Sequence, residues 1–256
     1  METYKIIWSL EEMQKFYNIL PELTHDEGRL VSLSARKKYL TDEQKEKYNL
    51  NRAEMFARSI IRQNDFKKFS QIIKRYECNV EGYTTKSGLP YPQNALVCYM
   101  NVNPSAMLRA YSEFSKNVGL YQYELIASLL KKDKKQDDLM VKLRKLDVGF
   151  LNAIQRAKSK RQFLDIDFDI DKEKELHLLE EFIEYLNEKE ITYYVIETHG
   201  GYHVLLKKDT IGKNNFYDRL KPLNFHAEKE IILNQNGMIP VPGTLHGLFE
   251  VKILKM

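Results

Sequence analysis

Three aspartates at alternate positions, Asp165, Asp167 and Asp169, stand in the run QFLDIDFDI from Gln162 to Ile170. Apolar and acidic residues alternate there with period two, the pattern of a half-buried strand. On a strand, positions i, i+2 and i+4 share one face, so at least two of these carboxylates converge. Like charges that close repel, and both stay ionised only with a cation or strong donors between them. Aspartate is a poor strand former, so three of them beside Leu164, Ile166, Phe168 and Ile170 call for a reason beyond solubility. Oxygen-only ligation favours Mg²⁺ or Mn²⁺ over zinc, and carboxylates holding two such ions suit in-line attack at phosphorus. The plain alternative is the solvent face of an amphipathic strand.

A second constellation is Thr198-His199-Gly200-Gly201-Tyr202-His203. Two glycines let the backbone approach a ligand closely, and their amides could form a phosphate-binding nest. His203, opening a strand, would reach the same ligand with a ring N–H. Two rival readings stand beside this one. His199 and His203 at i, i+4 would make a zinc pair on a helix, although a Gly-Gly step between strands disfavours a helix. An ordinary hairpin turn with a surface histidine fits as well. Further along, Glu230 opens the strand EIILN and could add a third carboxylate, with Pro242-Gly243-Thr244 expected as a rigid turn near it. Early in the chain, Arg36 and Lys38 in ARKKY offer cations with an aromatic neighbour, for phosphates or for solvent.

These residues need elements to hold them. Residues 9–77 read as mostly helical, with Thr41 as N-cap of a helix through DEQKEKYNLNRAEMFARSIIRQ. NALVCYMNV (94–102) reads as a strand ending in an Asn103-Pro104 turn. Helical pattern follows from Pro104 to about Lys160, broken near Val118-Gly119 and near Asp147-Val148-Gly149. Lys172 to Lys189 is an amphipathic helix with Leu176, Leu179, Phe182, Ile183 and Leu186 on one face. ITYYVIET and YHVLLKK form a hairpin about His199-Gly200-Gly201, and EIILN, MIPVP and FEVKIL are further strands. The expectation is an α+β fold with mixed or antiparallel sheets. Residues 1–80 would be an N-terminal helical part packed on a catalytic domain over 81–256.

Composition narrows the class. At 256 residues and 43% hydrophobic, the chain can bury a sizeable core. No apolar run approaches the ~18–20 residues that cross a bilayer, and the acidic METYKIIWSLEEMQ start lacks the cationic region of a secretory signal. Two cysteines, Cys78 and Cys98, exclude a thiolate zinc finger and a disulfide framework, so a soluble cytoplasmic protein without membrane contact is expected. From 128 to 163 there are 11 Lys/Arg against 4 Asp, a local +7. From 164 to 199 there are 3 Lys against 12 Asp/Glu, a local −9. Such neighbours suit a site that holds a phosphate backbone and also binds divalent metal. Two solvated helices of opposite charge are the plain alternative.

The order of these pieces resembles the archaeo-eukaryotic primase superfamily, and within it the small bacterial, plasmid and phage primase-polymerases. The family's hydrophobic–Asp–x–Asp strand is matched by Phe163 to Asp167, and its Ser-Gly-x-Gly-Tyr-His-like strand entry by Thr198 to His203. Glu230 stands for its later acidic residue; Ala35 to Tyr39, Asn103-Pro104 and Pro242 to Thr244 are similar to further features. There are departures: Thr198 replaces Ser, His199 replaces a small residue, and Lys229 precedes Glu230 where an apolar residue is usual. Glu228 therefore stays an alternative third carboxylate, and Asp167/Asp169 an alternative pair. The resemblance implies a DNA primase or polymerase that joins nucleotides on a single-stranded or primed DNA template. Asp165, Asp167 and Glu230 would hold two Mg²⁺ or Mn²⁺ ions. Thr198, Gly200, Gly201 and His203, helped by Arg36 and Lys38, would bind the nucleoside triphosphate. A helicase or other replication or repair protein is the implied partner. A metal-dependent nuclease or phosphodiesterase, and a catalytically idle primase-like nucleic-acid-binding module, are the competing functions.

Overall fold

Alternating apolar residues in two stretches, Val31-Leu33-Ala35 and Leu164-Ile166-Phe168, seed two antiparallel sheets. The computed structural model describes residues 2–48, 53–85, 87–131, 136–159, 161–212, 216–229, 231–234 and 237–255. In chain order the first half runs α1 (Leu10–Ile19), β1 (Glu27–Arg36), α2 (Asp42–Tyr48), β2 (Ala53–Ile61), α3 (Phe66–Lys74), β3 (Leu96–Met100), β4 (Ser105–Ala106), α4 (Met107–Lys131), α5 (Gln136–Arg144) and α6 (Leu146–Arg156). The second half runs β5 (Phe163–Phe168), α7 (Leu176–Glu188), β6 (Tyr193–Thr198), β7 (Gly201–Lys207), α8 (Lys208–Ile211), α9 (Phe216–His226) and β8 (Ile231–Asn234). The short strands β9 (Ile239–Pro240), β10 (Leu245–His246), β11 (Phe249–Glu250) and β12 (Lys252–Lys255) follow.

Among the described residues, the first sheet has the order β11-β10-β3-β1-β2, with β4 on β1 and β9 on β3; the second has the order β12-β6-β7-β5-β8. The fold is therefore α+β with antiparallel sheets, as the element pattern predicts. On the first sheet, Val31, Leu33, Ala35, Leu96, Cys98 and Met100 share one face and enter a core with Met13 and Phe16 of α1 and Phe69 and Ile73 of α3. α1 starts where it does because the Ser9 side chain accepts from Glu12 N–H. On the second sheet, Leu164, Ile166, Phe168, Val204 and Leu206 pack under Leu178, Leu179, Phe182 and Leu186 of α7. Leu176, expected on that apolar face, is 37% exposed.

The N-terminal 80 residues differ from the helical expectation. Thr41 does cap a helix, its hydroxyl accepting from Gln44 N–H, but that helix is only the seven residues of α2. AEMFARSII, rich in helix formers, is strand β2, paired over eight positions with β1. Tertiary pairing overrides propensity here. A bulge at Phe56 turns its ring onto Tyr83 and Tyr91, at centroid distances of 4.9 and 5.1 Å. Because β1 and β2 share a sheet with β3, β9, β10 and β11, residues 1–80 do not form a separate helical part.

Of the two expected helix breaks, the one near Val118-Gly119 is absent, since α4 continues through it, while the other falls at Lys145 between α5 and α6, two residues before Asp147. FEVKIL divides, β11 joining the first sheet and β12 the second, with fully buried Val251 between them.

Candidate functional site

The polar face of β5 and β7 is built by register. β5 pairs antiparallel with β7, with Asp167 opposite His203 and Asp165 opposite Leu205. Directly paired residues share a face, so Asp165, Asp167 and His203 come together on the side away from α7. His203 Nδ1 lies 3.0 and 3.2 Å from the two carboxylate oxygens of Asp165, and Nε2 lies 3.8 Å from Asp167 Oδ1. Asp165 and His203 are each only 7% exposed. Burial disfavours the charged imidazole. The Asp165 carboxylate and its hydrogen bond, with Asp167 behind them, outweigh that and push His203 up to about 9. Nδ1–H therefore donates to Asp165 from a ring that is protonated at neutral pH. Burial pushes the Asp167 carboxyl above its usual range against the pull of His203, and Asp165 and Asp169 push the same way.

Asp169 lies just beyond the end of β5. It sits 3.9 Å from Lys229 Nζ, and its charge supports that of Lys38. The Asp165/Asp167 pair, rather than Asp167/Asp169, is thus the one that shares the strand face with His203. Lys38 comes from the turn after β1, where Tyr39 is held by a 2.5 Å hydrogen bond between its hydroxyl and His246 Nε2. Burial lowers the Lys38 ammonium, and Arg36 adds to that, while Asp169 and Asp167 draw it back up. Arg36 lies over the Tyr99 ring at 5.6 Å, and Tyr99 feels the charge of Asp167. Lys38, Lys172, Lys229, Asp169, His199 and Gly200 line an open cavity of about 560 Å³ at this end of the sheet.

The two glycines of the hairpin have different reasons to be there. Gly201 has φ +150, and a Cβ on it would lie 1.9 Å from the Phe168 carbonyl oxygen. It permits the close approach of β7 to β5. At Gly200, a Cβ would meet Asp169 Oδ1 at 3.3 Å and Lys38 Nζ at 3.5 Å, so glycine keeps space between that pair. The Thr198 hydroxyl donates to the Gly201 carbonyl and is buried within the hairpin.

The helical zinc pair does not form. His199 is in the turn, its ring against Tyr39, His246 and Phe249, while His203 is in β7 against Asp165. Pro242-Gly243-Thr244 is likewise a packing turn: a Cβ on Gly243 would lie 2.4 Å from Ser9 O and 2.7 Å from Met13. Glu230 lies outside the described residues, as do residues 132–135 and Lys160 of the basic stretch. Glu228 is exposed ahead of β8, its N–H donating to Glu175 Oε1. On β8, Ile232 stands opposite Asp167.

Tyr99, His246 and Lys172 escape sequence reasoning, and Tyr39 and Lys229 enter it only as neighbours of Lys38 and Glu230. Gly247, at φ +61, makes room for the Tyr39 ring, which would lie 2.8 Å from a Cβ there.

Among the described residues, no group of three His, Cys, Asp or Glu side chains is arranged to hold a metal ion. Asp165 and Asp167 nonetheless fit a hard divalent cation. Mg²⁺ commonly takes one or two carboxylates together with substrate phosphates, and these two are hard oxygen donors on one strand face. Comparison with protein families, with curated proteins and with solved structures finds no match for this chain.

Proposed function

We propose that this protein is a template-directed nucleotidyltransferase of the primase-polymerase type, joining nucleotides with two Mg²⁺ or Mn²⁺ ions. The observation that carries the reading is the β5–β7 register, which gathers Asp165, Asp167 and His203 on one strand face. That is the chemistry the two resembling motifs need in common. Asp165 and Asp167 would hold the ions, whose bound charge would acidify the attacking 3′-hydroxyl and neutralise the triphosphate.

The remaining work falls to the chain's own groups. Asp165 fixes the His203 ring through Nδ1–H, and Nε2–H, 3.8 Å from Asp167, has hydrogen-bonding capacity left for a phosphate oxygen. Lys38, with Lys172 and Lys229 around the adjoining cavity, would bind further phosphate charge. Single-stranded or primed DNA is the template in this reading, and a helicase or other replication protein the partner.

The test is nucleotide incorporation on primed and unprimed single-stranded DNA with each ion. The expected result is pyrophosphate release and extension, reduced about a thousand-fold or more in Asp165→Asn and in Asp167→Asn, because an ion contributes several kcal/mol to the transition state. Loss of terminal nucleotides instead of extension would move the assignment to a nuclease. DNA binding without turnover under either ion would move it to an idle module.

A further inference from the structure

One face of the 25-residue helix α4 packs inside the molecule: Met107 and Ala110 are buried, Phe114 meets the Phe150 ring of α6 at 5.2 Å, and Tyr121 lies under Lys142 of α5. At 3.6 residues per turn, the opposite face runs from Leu108 through Tyr111, Ser115, Gly119, Gln122 and Ile126 to Leu129. Leu108, Tyr111, Ile126 and Leu129 are more than half exposed, as are Tyr123 and Leu130 beside them, at 71% and 80%. The charged residues of α4, which are Arg109, Glu113, Lys116, Glu124 and Lys131, fall on one flank of this face and none falls within it. In a chain with 30% charged residues, an exposed apolar face of this length marks an interaction surface.

We propose that this face packs on the same face of a second copy of the chain, the two α4 helices antiparallel about a two-fold axis level with Asn117. The face is its own complement about that point. Turned end for end, Leu108 meets the partner's Ile126, Tyr111 meets the partner's Tyr123, and Ser115 meets the partner's Gly119. Large side chains thus meet large ones towards the ends, and small ones meet at the centre, where the helix axes can approach to about 8–10 Å. From Leu108 to Leu129, six steps of three or four residues cover 21 residues, about 3.5 each, the period of a left-handed two-helix seam. Antiparallel packing also sets the N-terminus of each helix beside the C-terminus of the other, which favours their dipoles.

The area is sufficient for a stable dimer. The six exposed side chains each offer on the order of 100 Å², and with Ser115, Gln122 and the open backbone at Gly119 they come close to the roughly 800 Å² per partner of a standard interface. Symmetry selects the occupant. A two-fold contact needs the two halves of a face to match each other, whereas a partner of different sequence imposes no such match. A face made for lipid would be bordered by cations, but here the single charged flank mixes Arg109 and Lys116 with Glu113 and Glu124. Lys116, at the edge near the axis, is the one charge that approaches its own copy, and salt screens it.

The test is sedimentation equilibrium of the full chain from about 1 to 100 µM, the weak end of what interfaces of this size reach. The wild type should approach twice the chain mass of 30.3 kDa. Ile126→Glu and Leu108→Glu, both exposed in the single chain, should each weaken the dimer a hundred-fold or more and keep the circular dichroism of the wild type. Rising salt should tighten the dimer, whereas association through the basic and acidic stretches of the chain would loosen. Disulfide trapping reads the register: an equal mixture of Ser115→Cys and Gly119→Cys chains should cross-link several-fold more than either variant alone, with the wild type and its Cys78 and Cys98 as the blank. A monomer at every concentration, a dimer that both glutamate variants leave intact, one that salt loosens, or cross-linking as strong in Ser115→Cys alone overturns the inference. A monomer that floats with phosphatidylserine-containing vesicles, and stops floating in Ile126→Glu, gives the face to lipid and overturns it as well.

Discussion

The pairing of His203 with Asp165 should make the metal-free protein lose stability as pH rises from about 6.5 to about 9. The ring is buried, and the Asp165 carboxylate at 3.0 and 3.2 Å outweighs the penalty of burial, so the group titrates at about 9 rather than 6.5. A shift of about 2.5 units at 1.36 kcal/mol each is worth about 3 kcal/mol. The sign follows from proton binding: the folded protein holds this proton more tightly than the unfolded chain. The contribution is therefore full below pH 6.5, falls by about 1.4 kcal/mol per pH unit above it, and is gone above pH 9. Urea unfolding between pH 6 and 9.5 in EDTA, on the wild type and on Asp165→Asn, measures it. Subtracting the two removes the lysines and tyrosines that titrate in the same range. A proton resonance of the His203 ring gives the pKa directly. Equal pH slopes in the two proteins, or a ring titrating at or below 6.5, would refute the reasoning.

Gly201→Ala should cost about 3 kcal/mol or more, because its Cβ falls 1.9 Å from the Phe168 carbonyl oxygen in a conformation side chains avoid. Gly119→Ala, where a Cβ meets nothing inside α4, should instead gain roughly 0.5–1 kcal/mol; thermal melts of both variants check the contrast. Tyr39→Phe should cost roughly 1–3 kcal/mol by denaturant unfolding, since it takes from buried His246 its partner at Nε2 when Nδ1 has none among the described residues. Neutralising Lys142, Arg144 and Lys145 together should flatten the log–log salt dependence of single-stranded DNA binding by about 2, at about 0.7 per phosphate contact. An unchanged slope would remove α5 and the start of α6 from the template path.

The carboxylate face was legible at Asp165 and Asp167 because period two is a property of the strand itself. Two carboxylates flanked by Leu164, Ile166 and Phe168 share a face whatever the strand packs against. The hairpin was legible too, since Gly200-Gly201 between two β-branched and aromatic runs has few other uses. The same local reasoning extended the alternation to Asp169, where the strand has already ended and the side chain turns to Lys38 and Lys229. It also made AEMFARSII a helix. The propensity difference is a few tenths of a kcal/mol per residue, and eight backbone pairs with β1 outweigh it.

By itself, then, the sequence determined the α+β class, the hairpin and the carboxylate face, all of which depend on residues a few positions apart. Tertiary structure alone decided that His203 meets Asp165, since that contact is a cross-strand register between residues 38 apart. It decided that Lys38 and Tyr39 reach the same end of the sheet, and that Pro242-Gly243 packs on α1 instead. It also set the protonation of His203, because burial and the distance to a carboxylate are sums over the folded neighbourhood that no local spacing encodes.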